Sequence, residues 1–414
     1  MPRRLRVAID CRIADPRQGI GTAVLALAKA LSESNVTNQE YTFIVRERMK
    51  GWLAPYVYGP CRLEGISEPL FSVLKEVKAS LRLVAPLRII WRKLREGRES
   101  IPVSDGLVES YQFDVVHFPT QAAYLTKLPT IYQPHDLQHL HFPQFFSKTE
   151  FACRERLYRA FCNQACYVCV QTNWTKQDVI KQYQLQEDKV VVIPWGSVFD
   201  AYKTPSDEDV RNTIDKYRLP DRFFFYPAVT WPHKNHKAII SALHILKSSH
   251  GIAPHVVFTG SSTDHRMILD KLAQDLGVAK YVHFLGFVTP VELQAIFRTA
   301  TAMIYPSVFE GFGLPILEAF QAGLPVLSSN ATTLPEVAQD GALYFDPDSP
   351  AELSVLMKTI MDRPEVRHDL INNGTRILSE YSFRDTAAAF QALYEKTAAL
   401  SSLKIWSDPL AIAH

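Results

Sequence analysis

Residues 302–320 read AMIYPSVFEGFGLPILEAF, and this stretch decides how the rest of the chain is interpreted. The apolar residues at its start predict a buried strand that ends at Pro306. A loop with two glycines follows, and Pro315 then occupies the first turn of a helix, where its missing N–H is harmless. Gly323 supplies the stop after that helix. Strand, glycine loop and helix together form the repeating unit of parallel α/β sheets.

The start of this predicted helix is suited to an anion. Backbone N–H groups at the Gly313–Leu314 turn lack partners within the helix, and such groups attract phosphates. Glu310 precedes the turn, and Glu318 lies one turn into the helix. Two carboxylates would repel a phosphate unless each bound something else, and a carboxylate accepts hydrogen bonds from adjacent sugar hydroxyls. A nucleotide sugar fits this pattern; the alternative is a helix-capping Glu318 and a solvated Glu310.

The rest of the chain alternates short apolar runs with helical patterns, which is typical of parallel sheets with crossover helices. The predicted strands are 5–10, 41–45, 113–118, 130–132, 167–171 and 190–193, followed by 223–226, 255–259, 282–284, 302–305 and 325–327. The predicted helices include 22–31, 238–248, 267–276, 291–299 and 384–400. Breaker residues at 194–196 separate the two series of strands. We therefore predict a domain over 1–196, joined by the C-terminal helix 384–414, and a second domain over 197–383.

Composition excludes several classes of protein. The 414 residues include 45 Lys and Arg and 43 Asp and Glu, which gives a formal charge of +2, and 47% of the residues are apolar. The chain is too apolar for a disordered protein and lacks the basic excess of a sequence-independent nucleic-acid binder. No apolar run reaches the roughly 20 residues that cross a bilayer. We expect a cytoplasmic protein that does not bind nucleic acid.

Two patterns raise the question of a metal. Four of the six cysteines cluster at Cys153, Cys162, Cys166 and Cys169, but no second C-x2-C pair or paired histidine follows at zinc spacing. We interpret them as small apolar residues of a helix and the next strand. Residues 346–348 form a D-x-D string whose central proline favours a turn. We therefore predict no metal and no cofactor.

Glu310 and Glu318 match the E-x7-E motif, and the chain resembles the retaining glycosyltransferases of family 4. The resemblance extends over most of the chain, through segments 7–10, 19–21, 114–118, 134–137, 191–196, 233–236, 325–329 and 333–337. It implies the GT-B fold, in which two doubly wound, Rossmann-like α/β domains face each other across a cleft. The N-terminal domain would be on the acceptor side, and the C-terminal domain would bind the nucleotide sugar.

The resemblance also implies roles for individual residues. The catalytic residues would be Glu310 at the donor sugar, Lys234 at the leaving phosphate, and His135 at the donor sugar or the acceptor hydroxyl. The implied donor-binding residues are Gly19, Thr230, Phe312, Gly313, Leu314 and Glu318, with Glu318 on the nucleotide ribose. His135 also fits a structural loop histidine or, with His139 and His141, a metal site, although their spacing is not a standard zinc signature.

The sequence departs from the family in two places. Many members carry a Gly-Arg pair shortly before the lysine, and no arginine stands in residues 226–234 here. Phosphate binding would then depend on Lys234, Thr230 or backbone groups. Many members also have paired glycines in the first loop, where Gln18 precedes Gly19 here. Gly19 still allows the backbone to approach a donor closely.

These features imply transfer of a hexose, with retention, to a glycan or lipid-linked acceptor in surface polysaccharide synthesis. UDP-glucose is the favoured donor and GDP-mannose the next. A GT-B nucleotide-sugar epimerase and a non-catalytic sugar-nucleotide-binding protein are the alternatives. A glycoside hydrolase is less suited, since its two carboxylates must flank one bond.

One stretch departs from the α/β pattern. Residues 71–98 carry eight basic residues interleaved with leucine and other apolar residues. A basic amphipathic helix can lie on an anionic membrane, here the inner face. An ordinary pair of surface helices has the same composition. Both interpretations remain open at this point.

Overall fold

The computed structural model describes residues 3–12, 19–67 and 101–402, so the basic segment 71–98 lies outside the described residues. The chain divides into two compact units. Unit 1 comprises Met1–Val170, Lys176–Ile193 and Arg384–His414, and unit 2 comprises Gln171–Thr175 and Pro194–Phe383. Within the described ranges, no helix is both long enough and apolar enough to cross a membrane.

Unit 1 is built on a parallel sheet of seven described strands in the order β3-β2-β1-β4-β5-β6-β7. The strands are β1 Leu5–Asp10, β2 Gln39–Arg46, β3 Cys61–Ile66, β4 Val115–Phe118, β5 Thr130–Tyr132, β6 Tyr167–Val170 and β7 Val190–Val192. The longer helices are α1 Gly19–Ser32, α2 Lys148–Gln164 and α3 Asn173–Tyr183, of which α3 begins in unit 2. Short helices cover Lys50–Leu53, Leu107–Ser110 and Gln138–His141.

The last helix of the chain packs on unit 1. The side chain of His117 on β4 lies within hydrogen-bonding distance of the Tyr394 hydroxyl (2.8 Å) and the Gln133 amide oxygen (2.9 Å). Its ring also lies 4.6 Å from that of Phe390. Burial lowers the pKa of His117 to about 3, so the imidazole is neutral. A buried polar residue of the sheet is therefore satisfied by this helix.

Unit 2 is built on a second parallel sheet, with six described strands in the order β10-β9-β8-β11-β12-β13. The strands are β8 Phe223–Pro227, β9 His255–Thr259, β10 Val282–Phe284, β11 Ala302–Tyr305, β12 Val326–Ser329 and β13 Ala342–Phe345. The longer helices are α4 Asp207–Tyr217, α5 His236–His250, α6 His265–Asp275, α7 Pro290–Thr299, α8 Leu314–Gln321, α9 Pro350–Asp362 and α10 Pro364–Leu378, with a short helix at Leu334–Ala338. Phe383–Ser402 is the final helix, α11.

Both sheets have a point at which the strand order reverses. In unit 2 it lies between β8 and β11, because the chain runs outward to β10 on one side and to β13 on the other. Phe225 of β8 pairs with Met303 of β11 in parallel register, so both strands end at the same edge. In doubly wound sheets, ligands bind beyond the carboxyl ends of the strands at such a switch point. The loops after β8 and β11 are therefore the place to look for a site.

The predicted α/β fold of two doubly wound sheets is confirmed, with differences in some of its elements. Strands β3 and β13 were not predicted, and each lies at an edge of its sheet, where a short or partly charged strand is tolerated. Arg62 and Glu64 of β3 interrupt the continuous apolar run by which the buried strands were recognised. Helix α1 begins at Gly19 rather than at Thr22, so Gly19 belongs to its first turn.

Candidate active site

The turn between β11 and α8 requires glycine. Gly313 has φ +103°, in the region that only glycine enters easily. A Cβ atom there would also lie 2.9 Å from the Cδ2 atom of Leu334. Helix α8 begins at the next residue, with Pro315 in its first turn. The predicted strand, loop and helix are confirmed, and the loop 306–313 is called the Glu310 loop below.

The carboxylate of Glu310 forms an ion pair with Lys234. Lys234 ends a short turn, Pro232–Lys234, that follows β8, and its Nζ atom lies 2.5 Å from Glu310 Oε1. The two side chains are only 20% and 12% exposed. Burial by itself raises the pKa of Glu310, but the charges of Lys234 and His233, together with side-chain hydrogen bonds from Lys234 and Ser307, outweigh it. This pKa therefore lies below its usual value. Glu310 is therefore ionised at neutral pH.

The backbone of Glu310 is held by two threonines that follow β12. Thr332 accepts a hydrogen bond from the Glu310 N–H (3.1 Å) and donates one to its carbonyl oxygen (3.0 Å) through the same hydroxyl. Thr333 donates a second bond to that carbonyl at 3.2 Å. Two residues before Glu310, the Val308 N–H donates a hydrogen bond to the His233 carbonyl at 2.9 Å. The loop is thus tied to the segments before and after it.

Asn235 and Ser307 complete the support of the Glu310 loop. Asn235 has φ +55°, and its side-chain amide donates to the carbonyls of Pro306 (3.1 Å) and Pro347 (2.8 Å). The hydroxyl of Ser307 lies 2.9 Å from that of Tyr226. Pro347 lies in a turn in which the Asp348 N–H donates to the Asp346 carboxylate at 2.8 Å, so the turn predicted for the D-x-D string is confirmed.

Glu318 has surroundings unlike those of Glu310. It lies in the second turn of α8 and is 7% exposed. In the part of the chain that the structure describes, no group donates a hydrogen bond to its carboxyl group. Burial raises the pKa of Glu318 to about 8, so the neutral acid predominates at pH 7. Its spacing from Glu310 is that of the motif, but at pH 7 Glu318 is largely neutral whereas Glu310 is ionised.

The remaining residues predicted in unit 2 are largely occupied by internal contacts. Thr230 accepts a hydrogen bond from the Thr263 N–H (2.8 Å), and the Thr263 hydroxyl donates to its carbonyl (2.6 Å), which fastens the loop after β8 to the loop after β9. The ring of Phe312 is buried, 5.8 Å from Trp195 and 6.1 Å from Tyr381. Phe312 therefore offers its backbone, rather than its side chain, to a ligand.

Gly19 and His135 belong to unit 1, at the carboxyl edge of its sheet. Gly19 is the first residue of α1 and is exposed. His135 follows β5 with φ +66°, is 5% exposed, and places Nε2 3.0 Å from the Pro119 carbonyl oxygen. His139 and His141 pair separately, with Glu155 at 3.3 Å and Asp178 at 2.8 Å.

The separate pairing of these histidines bears on the metal alternative. Among the described residues, no three His, Cys, Asp or Glu side chains come together as a set of metal ligands. The histidine cluster considered for residues 135–141 is therefore not present as such a set. That transfer proceeds without metal stays a prediction.

One contributor to the site was not expected from the sequence. The Glu336 carboxylate accepts hydrogen bonds from the N–H groups of Asn173 (2.7 Å) and Trp174 (2.9 Å) at the start of α3. The adjacent Thr175 hydroxyl lies 3.3 Å from the carbonyl of Gly311 in the Glu310 loop. The two halves of this contact are 163 residues apart in the chain. Only the resemblance over 333–337 pointed to this segment.

Two doubly wound units, with a lysine, two acids and a helix start at the switch point of one of them, define the GT-B class of proteins. Two family models match the chain: "Glycosyltransferase Family 4" over residues 17–197 and "Glycosyl transferases group 1" over residues 209–377. The chain belongs to glycosyltransferase family 4 and has the GT-B fold.

Curated relatives and solved structures agree with this assignment. The chain is 27% identical over 250 residues to the O-antigen chain mannosyltransferase RfbU of Salmonella typhimurium, and 25% identical over 230 residues to the O-antigen chain mannosyltransferase B of Escherichia coli. These alignments cover 60% and 55% of this chain but only 64% and 60% of the relatives. The crystal structure of Anabaena HepE in complex with UDP and glucose shares the fold, with a TM-score of 0.69 at 18% identity, over 95% of this chain and all of that one.

Proposed function

We propose that the protein is a retaining glycosyltransferase that moves a hexose from a nucleotide sugar to a glycan or lipid-linked acceptor in surface polysaccharide synthesis. The observation that carries the proposal is the partly buried Lys234–Glu310 pair at the switch point of unit 2, next to the start of α8. A lysine and free N–H groups suit a diphosphate, and a carboxylate suits sugar hydroxyls. A nucleotide sugar uses all three features together.

The roles of the residues follow from the charge that develops in the reaction. As the bond between the anomeric carbon and the phosphate oxygen breaks, negative charge builds on the nucleoside diphosphate, and Lys234 with the start of α8 stabilises it. The acceptor hydroxyl attacks from the side that the diphosphate leaves, and its proton passes to the leaving phosphate oxygen. Glu310 would hold the donor sugar, Glu318 the ribose, and His135 a hydroxyl of the donor or acceptor.

The donor is proposed from the relatives. The sequence favours UDP-glucose, and a solved structure with the same fold contains UDP and glucose. The curated relatives are named mannosyltransferases, which favours GDP-mannose as the donor. Both donors offer the same diphosphate to Lys234 and a hexose to Glu310. The base and the sugar must therefore be separated by measurement.

Two assays test the proposal in sequence. A thermal-shift screen of nucleotide sugars ranks donors directly, because a ligand that binds the folded protein raises its melting temperature. Transfer of radiolabelled hexose to oligosaccharide or lipid-linked acceptors then measures activity, and NMR of the product gives the anomeric configuration. We expect transfer with retention. Inverted product, release of a free epimer, or binding with no turnover on any acceptor would each contradict the proposal.

A further inference from the structure

The Lys234–Glu310 contact raises a question about ligand discrimination. Each side chain is the charged partner of the other, at 2.5 Å, and both are largely buried. A phosphate that binds Lys234 must therefore compete with a carboxylate already in contact with it. Breaking or keeping this contact therefore affects how tightly a ligand binds, in addition to any effect on the stability of the fold.

A ligand that carries phosphate alone meets this competition in full. If its diphosphate draws Lys234 away, Glu310 is left buried, ionised and without its charged partner, next to a new anion. A buried charge that loses its partner is strongly destabilising. A free nucleoside diphosphate has no hydroxyl donors at the sugar end to replace the lysine. Its binding is therefore opposed.

A nucleotide sugar meets the competition differently. Its diphosphate takes Lys234 while its sugar hydroxyls donate hydrogen bonds to Glu310, so both members of the pair gain a partner in exchange for the one they lose. We propose that Glu310 is an internal competitor for Lys234, which makes the site select the intact nucleotide sugar and expel the nucleoside diphosphate once the sugar has been transferred. This inference rests on the proposed function.

The surroundings indicate which partner moves. The backbone of Glu310 is fixed by the hydroxyls of Thr332 and Thr333. The ammonium group of Lys234 lies at the end of a long flexible side chain, with Nζ 5.9 Å from the centre of the Tyr305 ring. His233 adds positive charge near Glu310. The exchange therefore consists of the lysine ammonium turning from a fixed carboxylate toward the phosphate.

Glu318 provides the matched comparison. It is the other acid of the motif, and among the described residues its carboxyl group accepts no hydrogen bond and forms no ion pair. Because the neutral acid predominates at pH 7, its replacement by glutamine removes no competitor for Lys234. Glu318→Gln should therefore change the affinities for nucleotide sugar and nucleoside diphosphate by similar factors. Asp275→Asn, which breaks an exposed 3.1 Å pair with Lys271, controls for loss of a surface charge.

The experiment is isothermal titration calorimetry at fixed salt and pH. UDP, UDP-glucose, GDP and GDP-mannose are titrated into the wild type, Glu310→Gln, Glu318→Gln and Asp275→Asn. The relevant nucleoside diphosphate is UDP if the wild type binds UDP-glucose, and GDP if it binds GDP-mannose. We expect Glu310→Gln to bind that diphosphate about tenfold or more tightly than the wild type does, which corresponds to about 1.4 kcal/mol. The nucleotide sugar should bind equally or more weakly. The preference for the nucleotide sugar should thus shrink in this variant alone.

The outcomes separate the two proposals. If the wild type binds none of the four ligands, the proposed function fails, and this inference fails with it. If the wild type binds a nucleotide sugar but Glu310→Gln does not tighten the free diphosphate, or tightens both ligands equally, the inference is overturned and the proposed function stands. Should Glu310→Gln not fold, Glu310→Asp withdraws the carboxylate from Lys234 by one methylene. The same loss of preference is then expected, and unchanged preference overturns the inference.

Discussion

The Glu310 loop and the first turns of α8 each hold one acid of the motif, and the surroundings of the two carboxyl groups differ. Glu310 lies against Lys234, and its pKa lies below the usual value. Glu318, eight residues later, is buried and has no such partner among the described residues, and its pKa is raised to about 8. One sequence motif thus holds an ionised and a largely neutral acid at pH 7. The spacing of a motif identifies its residues, and their environment decides their charge.

Removal of Lys234 should have the largest effect. Lys234→Ala takes away the cation that stabilises the leaving diphosphate and leaves Glu310 unpaired. We expect kcat/KM for hexose transfer to fall by about 10²–10³-fold or more. Lys271→Ala, which changes an exposed lysine of the same unit, should retain wild-type transfer. Full activity in Lys234→Ala would show that Lys234 does not stabilise the leaving diphosphate.

The pH dependence of stability should separate the two acids. The folded-state pKa of Glu318, about 8, lies above the unfolded value, so its contribution to stability is fully present below about pH 4.3 and is lost as the pH rises through 8. Glu318→Gln removes this loss. Relative to the wild type, we expect the variant to gain up to about 5 kcal/mol in free energy of unfolding at pH 9, and only about 1 kcal/mol at pH 5. Urea denaturation at both pH values measures it.

Glu310→Gln should show the opposite sign. Because the pKa of Glu310 is depressed in the folded protein, its contribution is present above the unfolded value and lost as the pH falls through the folded value. The variant should therefore be less stable than the wild type at pH 7, by about 1–3 kcal/mol, and the difference should shrink in acid. If the free energy of unfolding changed with pH in the same way in both variants, the two acids would not differ in their charge state as described.

The fold was more accessible from the sequence than the site. The bounds of β9 and β11 were predicted to the residue, because central strands of a parallel sheet are largely apolar runs. Spacing and residue type also picked out Glu310, Glu318 and the glycine turn. The Lys234–Glu310 contact joins residues 76 apart, and only the sheet order brings them together. The protonation state of Glu318 depends on burial, which no local pattern encodes.

Gly313 joins the two regions, and its substitution tests whether close packing against Leu334 fixes the turn between them. Gly313→Ala places a Cβ atom against Leu334 at φ +103°, so we expect a loss of about 1–3 kcal/mol in free energy of unfolding. Gly323, at φ +66°, has no atom within 4 Å of an added Cβ. Gly323→Ala should therefore cost less, about 1 kcal/mol. Equal losses in denaturant would show that contact with Leu334 does not matter.

The smallest expected effect concerns Glu336, which acts on the Glu310 loop without touching either acid of the motif. Its carboxylate accepts bonds from two backbone N–H groups, one on each oxygen, and an amide has only one oxygen to offer. Glu336→Gln should therefore loosen residues 173–175 and, through the Thr175–Gly311 contact, the loop.

Because α8 carries Glu318 independently of that contact, the effect should be selective. We expect Glu336→Gln to raise the KM for the nucleotide sugar about three- to tenfold, with a smaller change in kcat and an unchanged Kd for the free nucleoside diphosphate. The ring of Trp174 lies 5.6 Å from that of Phe309, so its fluorescence, taken as the difference from a Trp174→Phe variant, reports the loosening directly. An altered fluorescence with equal weakening of both ligands would mean that Glu336 supports the whole site. The Glu310 loop would then not be a separately adjustable part of it.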